Sequence, residues 1–95
     1  MNIDLTSQAI KPDAYLDLHK RAQLTKSVAI LLLDAFFAES KHQRKINVLL
    51  LTQRGDSTTG SKALLDEILK EHPLCLGFRD YEDEALGWKG ILVRI

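Results

Sequence analysis

The stretch SVAILLLDAFFAES, residues 27–40, constrains this chain more than any other part of it. From about residue 26 to 41 there is no turn signal, which is too long for a strand and predicts a helix. Val28, Leu31, Leu32, Ala35 and Phe36 fall on one side of that helix, and Ile30, Leu33 and Phe37 continue around from it. A helix apolar nearly all round is buried. It is therefore expected to be the central element of the core or the carrier of an interface. Thr25 stands where its hydroxyl can accept a hydrogen bond from an early free N–H, as an N-cap does.

The remaining elements must pack around this helix. Ile3 and Leu5 alternate with polar neighbours and predict a short edge strand. Pro12 suits a first helical turn, and Tyr15, Leu18, His19 and Ala22 follow at helical spacing, predicting a helix over 12–23. The polar run SKHQRK ends the long helix. INVLLLT, 46–52, then reads as a strand apolar on both faces, the mark of an interior position. Leu64, Leu65, Ile68 and Leu69 give a helical stripe through SKALLDEILKEH, and Pro73 stops it. LCLGF, 74–78, and GILVRI, 90–95, read as an antiparallel pair with a long, charged connection between them. The order predicts one two-layer α+β domain over 1–95, with about three helices on one face of a three- to four-stranded, mostly antiparallel sheet.

Composition narrows the function. The chain has 95 residues, 45% of them hydrophobic and 27% charged, as in an ordinary globular domain. Thirteen Lys and Arg balance thirteen Asp and Glu, which argues against binding driven mainly by nucleic-acid phosphates. A single cysteine, Cys75, cannot form an internal disulfide. The longest apolar runs, Val28 to Leu33 and Val48 to Leu51, fall far short of the ~20 residues of a spanning helix. The N-terminus MNIDLTSQAIKPD lacks the basic start and apolar stretch of a signal peptide. A cytoplasmic protein without membrane association is the expectation.

One stretch has the look of a ligand site. RGDSTTGSK, 54–62, lies between a strand and a helix, the context of a phosphate-cradling loop. Gly60, Ser61 and Lys62 are the candidate anion ligands. The nucleotide-hydrolase pattern has two glycines five apart followed by Lys and then Ser or Thr. Here Gly55 and Gly60 keep the spacing, but Ser61 precedes Lys62 and Asp56 adds a negative charge. A turn explains the same residues one by one: Gly55 and Asp56 for the bend, Ser61 as N-cap, Lys62 on the exposed side. The turn reading is preferred.

Catalytic and metal-binding constellations are not evident. A nucleophile needs a base within reach, and a metal needs converging ligands. His19, His42 and His72 fall on three separate elements, and Cys75 has the setting of a small core residue. Asp80, Glu82, Asp83 and Glu84 read as a solvated charged loop. No enzyme activity, cofactor or metal is expected.

Binding is the remaining class. Basic residues gather at Lys41, His42, Arg44 and Lys45, and acidic ones at Asp80, Glu82, Asp83 and Glu84. A surface polarised in this way steers partners and sets specificity. Lys41, Arg44, Lys45, Asp80, Glu82 and Asp83 are therefore the candidate partner contacts, and a protein partner is expected. The apolar helix also raises homodimerisation, because so short a chain has little surface with which to cover it. The alternative is nucleic acid. Leu24, Thr25, Ser27, Leu32, Leu33 and Asp34, then Arg44, Leu51, Thr52 and Gly55, resemble the recognition helix and wing strand of winged-helix regulators of the multiple-antibiotic-resistance type. The resemblance covers about a third of the chain and implies DNA binding through the basic cluster. Ile30 and Leu31 depart from it, since a groove-reading helix presents polar side chains there.

Overall fold

The computed structural model describes residues 12–18, 24–54, 57–58 and 62–95. Within them the elements run β1 (Ala14–Asp17), α1 (Lys26–His42), β2 (Asn47–Arg54), β3 (Ser57–Thr58), α2 (Lys62–Glu71), β4 (Gly77–Asp83) and β5 (Trp88–Arg94). The expected strand at Ile3 and Leu5 lies outside the described residues. Four strands form a mixed sheet in the order β1-β2-β5-β4, and the two-residue β3 pairs with the end of β2. β1 is parallel to β2, and β5 is antiparallel to both β2 and β4. The α+β class and the helix-on-sheet layering are as expected. The sheet is mixed rather than mostly antiparallel, and two helices, not three, are found among the described residues.

The missing helix is β1. Tyr15 and Leu18 have helical spacing, but the period that operates is two: Ala14, Leu16 and Leu18 turn to the helix layer and Tyr15 turns away. Ala14 to Asp17 pair in register with Val48 to Leu51. Asp13 fixes the start of the strand, its carboxylate accepting from the N–H groups of Ile46 and Asn47 at 3.0 and 3.2 Å. Those two bonds hold the Asp13 carboxyl below its ordinary value. A parallel pair cannot be closed by a tight turn, so the chain must cross over the sheet between β1 and β2. The long apolar helix α1 lies in that crossover.

α1 starts where Thr25 accepts from the N–H of Val28 at 3.3 Å. It ends in a left-handed turn at Arg44, φ 62°. Lys45 N–H reaches Ser40 O at 2.8 Å and Arg44 N–H reaches Lys41 O at 3.0 Å, satisfying two of the last free carbonyls. Glycine usually occupies that left-handed position.

Ala29, Leu33 and Phe37 of α1 and Leu65, Ile68 and Leu69 of α2 pack on Val48, Leu50, Ile91 and Val93, with Leu18 and Ile95 closing the cluster. Leu49, Leu51 and Leu92 alternate with these residues and point to the other face, yet are also fully buried. Strands β2 and β5 are thus enclosed on both sides, as the unbroken apolar run in β2 predicts. On that second face the Tyr15 and Trp88 rings meet at 5.7 Å.

At the bulge between Leu51 and Gln53, Gly90 lies so close to β2 that a Cβ there would be 2.1 Å from Leu50 O. Only glycine allows that approach. The hairpin β4–β5 also differs from the sequence expectation. β4 covers Gly77–Asp83, not 74–78, and the connection is a short turn over 84–87 with Gly87 at φ 67°. The charged residues of β4 sit on an edge strand, which tolerates them on its solvated side and is shielded by them from pairing with another chain.

Candidate protein-docking surface

The sequence predicts α1 to be buried nearly all round, and it is not. Its buried line is Ala29, Leu33, Phe37 and Ser40. At ~100° per residue, the line on the opposite side is Val28, Leu31, Ala35 and Ala38. All four are exposed, Leu31 at 69% and Val28 at 41%. Ile30, 36% exposed, stands to one side. The helix therefore has two apolar lines about 180° apart. The chain's own sheet covers one of them. Among the described residues nothing covers the other.

Charged side chains flank the helix. Lys26 Nζ is 3.0 Å from Glu67 Oε1, tying α1 to α2 at the solvent boundary. Asp34 Oδ1 lies 2.6 Å from His72 Nε2. The His72 side chain is 5% exposed, its ring edge-on to Phe37 at 4.9 Å. His72 Nδ1 accepts from Leu74 N–H at 3.1 Å, so the ring carries its proton on Nε2 and donates it to Asp34. Nε2 joins the end of α2 to α1, and Nδ1 holds the turn that follows α2. Cys75, three residues on, is half-buried, and burial pushes its thiol up. That is the opposite of what an activated nucleophile needs.

The charged candidates are spread along the sheet, with Asp80 at its middle opposite Ile91. Lys41, Arg44 and Lys45 belong to the turn that closes α1 and lead into the start of β2, beside Arg94 at the end of β5. Asp83 lies at the other end, opposite Trp88. Six residue steps along β5, from Arg94 to Trp88, separate the two levels, about 20 Å. The six charges thus do not form one site. Asp80 and Glu82 face the helix layer from the β4 edge, whereas Asp83 turns to the other side and its carboxylate accepts from Leu86 N–H in the hairpin turn at 3.2 Å. These acids are strand residues, not the solvated loop the sequence predicts.

Of the candidate anion ligands, Gly60 and Ser61 lie outside the described residues. Lys62 opens α2, with Nζ 2.8 Å from Asp80 and 3.4 Å from Asp66. The hydrogen bond to Asp80 and the charge of Asp66 raise its pKa. An ammonium held between two carboxylates is poorly placed to capture a phosphate. No group of three or more metal-binding side chains occurs among the described residues. No helix among them is long and apolar enough to cross a membrane.

The winged-helix resemblance fares differently from the fold class. The helix it casts as the recognition helix is the crossover between two parallel strands, and the wing strand is an interior strand of the sheet. The line this helix turns to solvent carries Val, Leu and Ala instead of donors for base edges.

Sequence reasoning offered α1 as the carrier of an interface but did not identify Val28, Leu31, Ala35 and Ala38 as the line left outside. Its signal was present in the composition of the helix: an amphipathic surface helix has one apolar stripe, and this one has two.

Comparison of the chain with protein-family models, with curated proteins and with solved structures finds no match.

Proposed function

We propose that this chain is a non-enzymatic binding protein that docks a protein partner on the outer line of α1. One observation carries the reading: Leu31 and Val28 are exposed on the side of α1 opposite the fully buried Leu33 and Phe37. Exposed aliphatic side chains aligned along a helix and flanked by Ser27, Asp34, Glu39 and Lys41 have the pattern of an interface, apolar at its centre and polar at its rim. The basic turn at Lys41, Arg44 and Lys45 and the acidic β4 residues Asp80, Glu82 and Asp83 lie apart along the sheet and would orient an approaching partner more than hold it. DNA binding has less support, because it requires the same helix surface to present polar groups.

The test is capture from native extract with the tagged protein, with and without nuclease, beside a Leu31→Glu variant. The expected result is the same protein retained after nuclease and lost with the variant. Recovery of nucleic acid alone, or capture unaffected by Leu31→Glu, would contradict the proposal.

A further inference from the structure

We infer that the partner seated on the outer line of α1 is a second copy of this chain, packed helix to helix about a two-fold axis level with residue 33. The inference rests on the reading of that line as a docking surface and names its occupant.

The order of side chains along the line carries it. Val28 and Leu31 are large and occupy the N-terminal half, whereas Ala35 and Ala38 are small and occupy the C-terminal half. When two such helices run antiparallel about an axis at the level of residue 33, Val28 of one faces Ala38 of the other and Leu31 faces Ala35. Each large side chain meets a small one, and the two-fold repeats both contacts. A two-fold interface requires a surface complementary to itself, and this line meets that requirement with no residue from outside the chain. The parallel arrangement lacks the feature, because it would set Leu31 against Leu31 and leave Ala35 against Ala35.

The size of the surface sets the strength. α1 has 17 residues, about 25 Å of helix roughly 10 Å across. Two such helices cover several hundred Å² on each protomer, below the ~800 Å² a side of a standard stable interface. The dimer is therefore expected to depend on concentration and to fall apart on dilution. The basic turn and the acidic β4 residues of each protomer remain outside it.

Sedimentation velocity on the full chain tests the inference, from about 1 to 500 µM, with two variants, Leu31→Lys and Ala35→Glu. Both positions are exposed, and far-UV circular dichroism verifies that each variant is folded. The wild type is expected to move from monomer toward dimer across the range, and each variant alone to weaken association by tenfold or more. An equimolar mixture of the two variants is the decisive sample. In the antiparallel register the substituted position 31 of one chain faces the substituted position 35 of the other, so the two new charges are opposite and adjacent. The second contact in that mixed dimer is an unaltered Leu31–Ala35 pair. The mixture is expected to recover dimer that neither variant forms alone.

Three results would overturn the inference: a wild type that stays monomeric throughout, a wild-type dimer indifferent to both substitutions, or a mixture no more dimeric than its components. None of these decides whether another protein docks on α1. That is read separately from the nuclease-treated capture and its Leu31→Glu control.

Discussion

Replacing Gly90 by alanine should be the most damaging single methyl addition in the sheet. The added Cβ would stand 2.1 Å from Leu50 O, 3.0 Å from Leu50 C and 3.1 Å from Leu51 Cα. All three are backbone atoms of an interior strand, so no side chain can rotate out of the way. Restoring an ordinary contact requires β5 and β2 to separate locally by about 1.5 Å, since non-bonded heavy atoms sit near 3.5–4.0 Å. Ladder bonds around Leu51 and Gly90 would lengthen, and two of them at ~1 kcal/mol each are at risk. Overpacking in so closed a site adds ~1–3 kcal/mol. The total is about 3–5 kcal/mol against a typical stability of ~5–15 kcal/mol. Urea denaturation followed by circular dichroism measures it, with Gly87→Ala as the control. Gly87 has φ 67°, so alanine there meets only the left-handed penalty of ~1–2 kcal/mol. A Gly90→Ala midpoint equal to or above that of Gly87→Ala would refute the reasoning.

The other predictions concern single side chains. Leu33→Asp should unfold the chain, because an unpaired carboxylate in a site with no solvent exposure costs several kcal/mol. Leu31→Asp, two residues away and 69% exposed, should leave the melting temperature nearly unchanged in dilute solution. Arg44→Gly should raise stability by up to about 1 kcal/mol in thermal melts, because the residue at φ 62° no longer carries a Cβ in the left-handed region. Asp13→Asn should alter the acid limb of stability. The Asp13 pKa is lowered on folding, so its contribution is present above the unfolded value of 3.8 and is lost as pH falls through the lower folded value. Denaturation curves from pH 2 to 6 should show the variant less stable than wild type near pH 6, with the two converging at the acid end.

The legible parts of the fold were those where a pattern had one solution. INVLLLT could only be an interior strand, and β2 is buried on both faces. Leu64, Leu65, Ile68 and Leu69 could only be one stripe, and α2 packs through Leu65, Ile68 and Leu69. β1 misled because four residues are too few to separate a period of 2 from one of 3.6. The deciding term was pairing with Val48 to Leu51, more than thirty residues on. The β4–β5 hairpin was displaced because Arg79 to Asp83 read as loop residues, whereas an edge strand accepts charge. For the surface, the sequence suggested an interface on α1 and a polarised charge distribution. It could not say which line of the helix remains outside, because that depends on which line the sheet covers. Only with Ala29, Leu33 and Phe37 against the sheet do Val28, Leu31, Ala35 and Ala38 become the outer side.

A dilution series followed by amide NMR tests that assignment most directly. Spectra of the ¹⁵N-labelled wild type would be recorded from about 500 µM down to 10 µM, the range over which a small interface should dissociate. The predicted result is that concentration-dependent shifts concentrate at Val28, Leu31, Asp34, Ala35 and Ala38, with the amides of β2 and β5 unmoved. Shifts confined to the sheet edges or to the charged residues, or a spectrum that does not change with concentration, would contradict the placing of a self-complementary docking surface on α1.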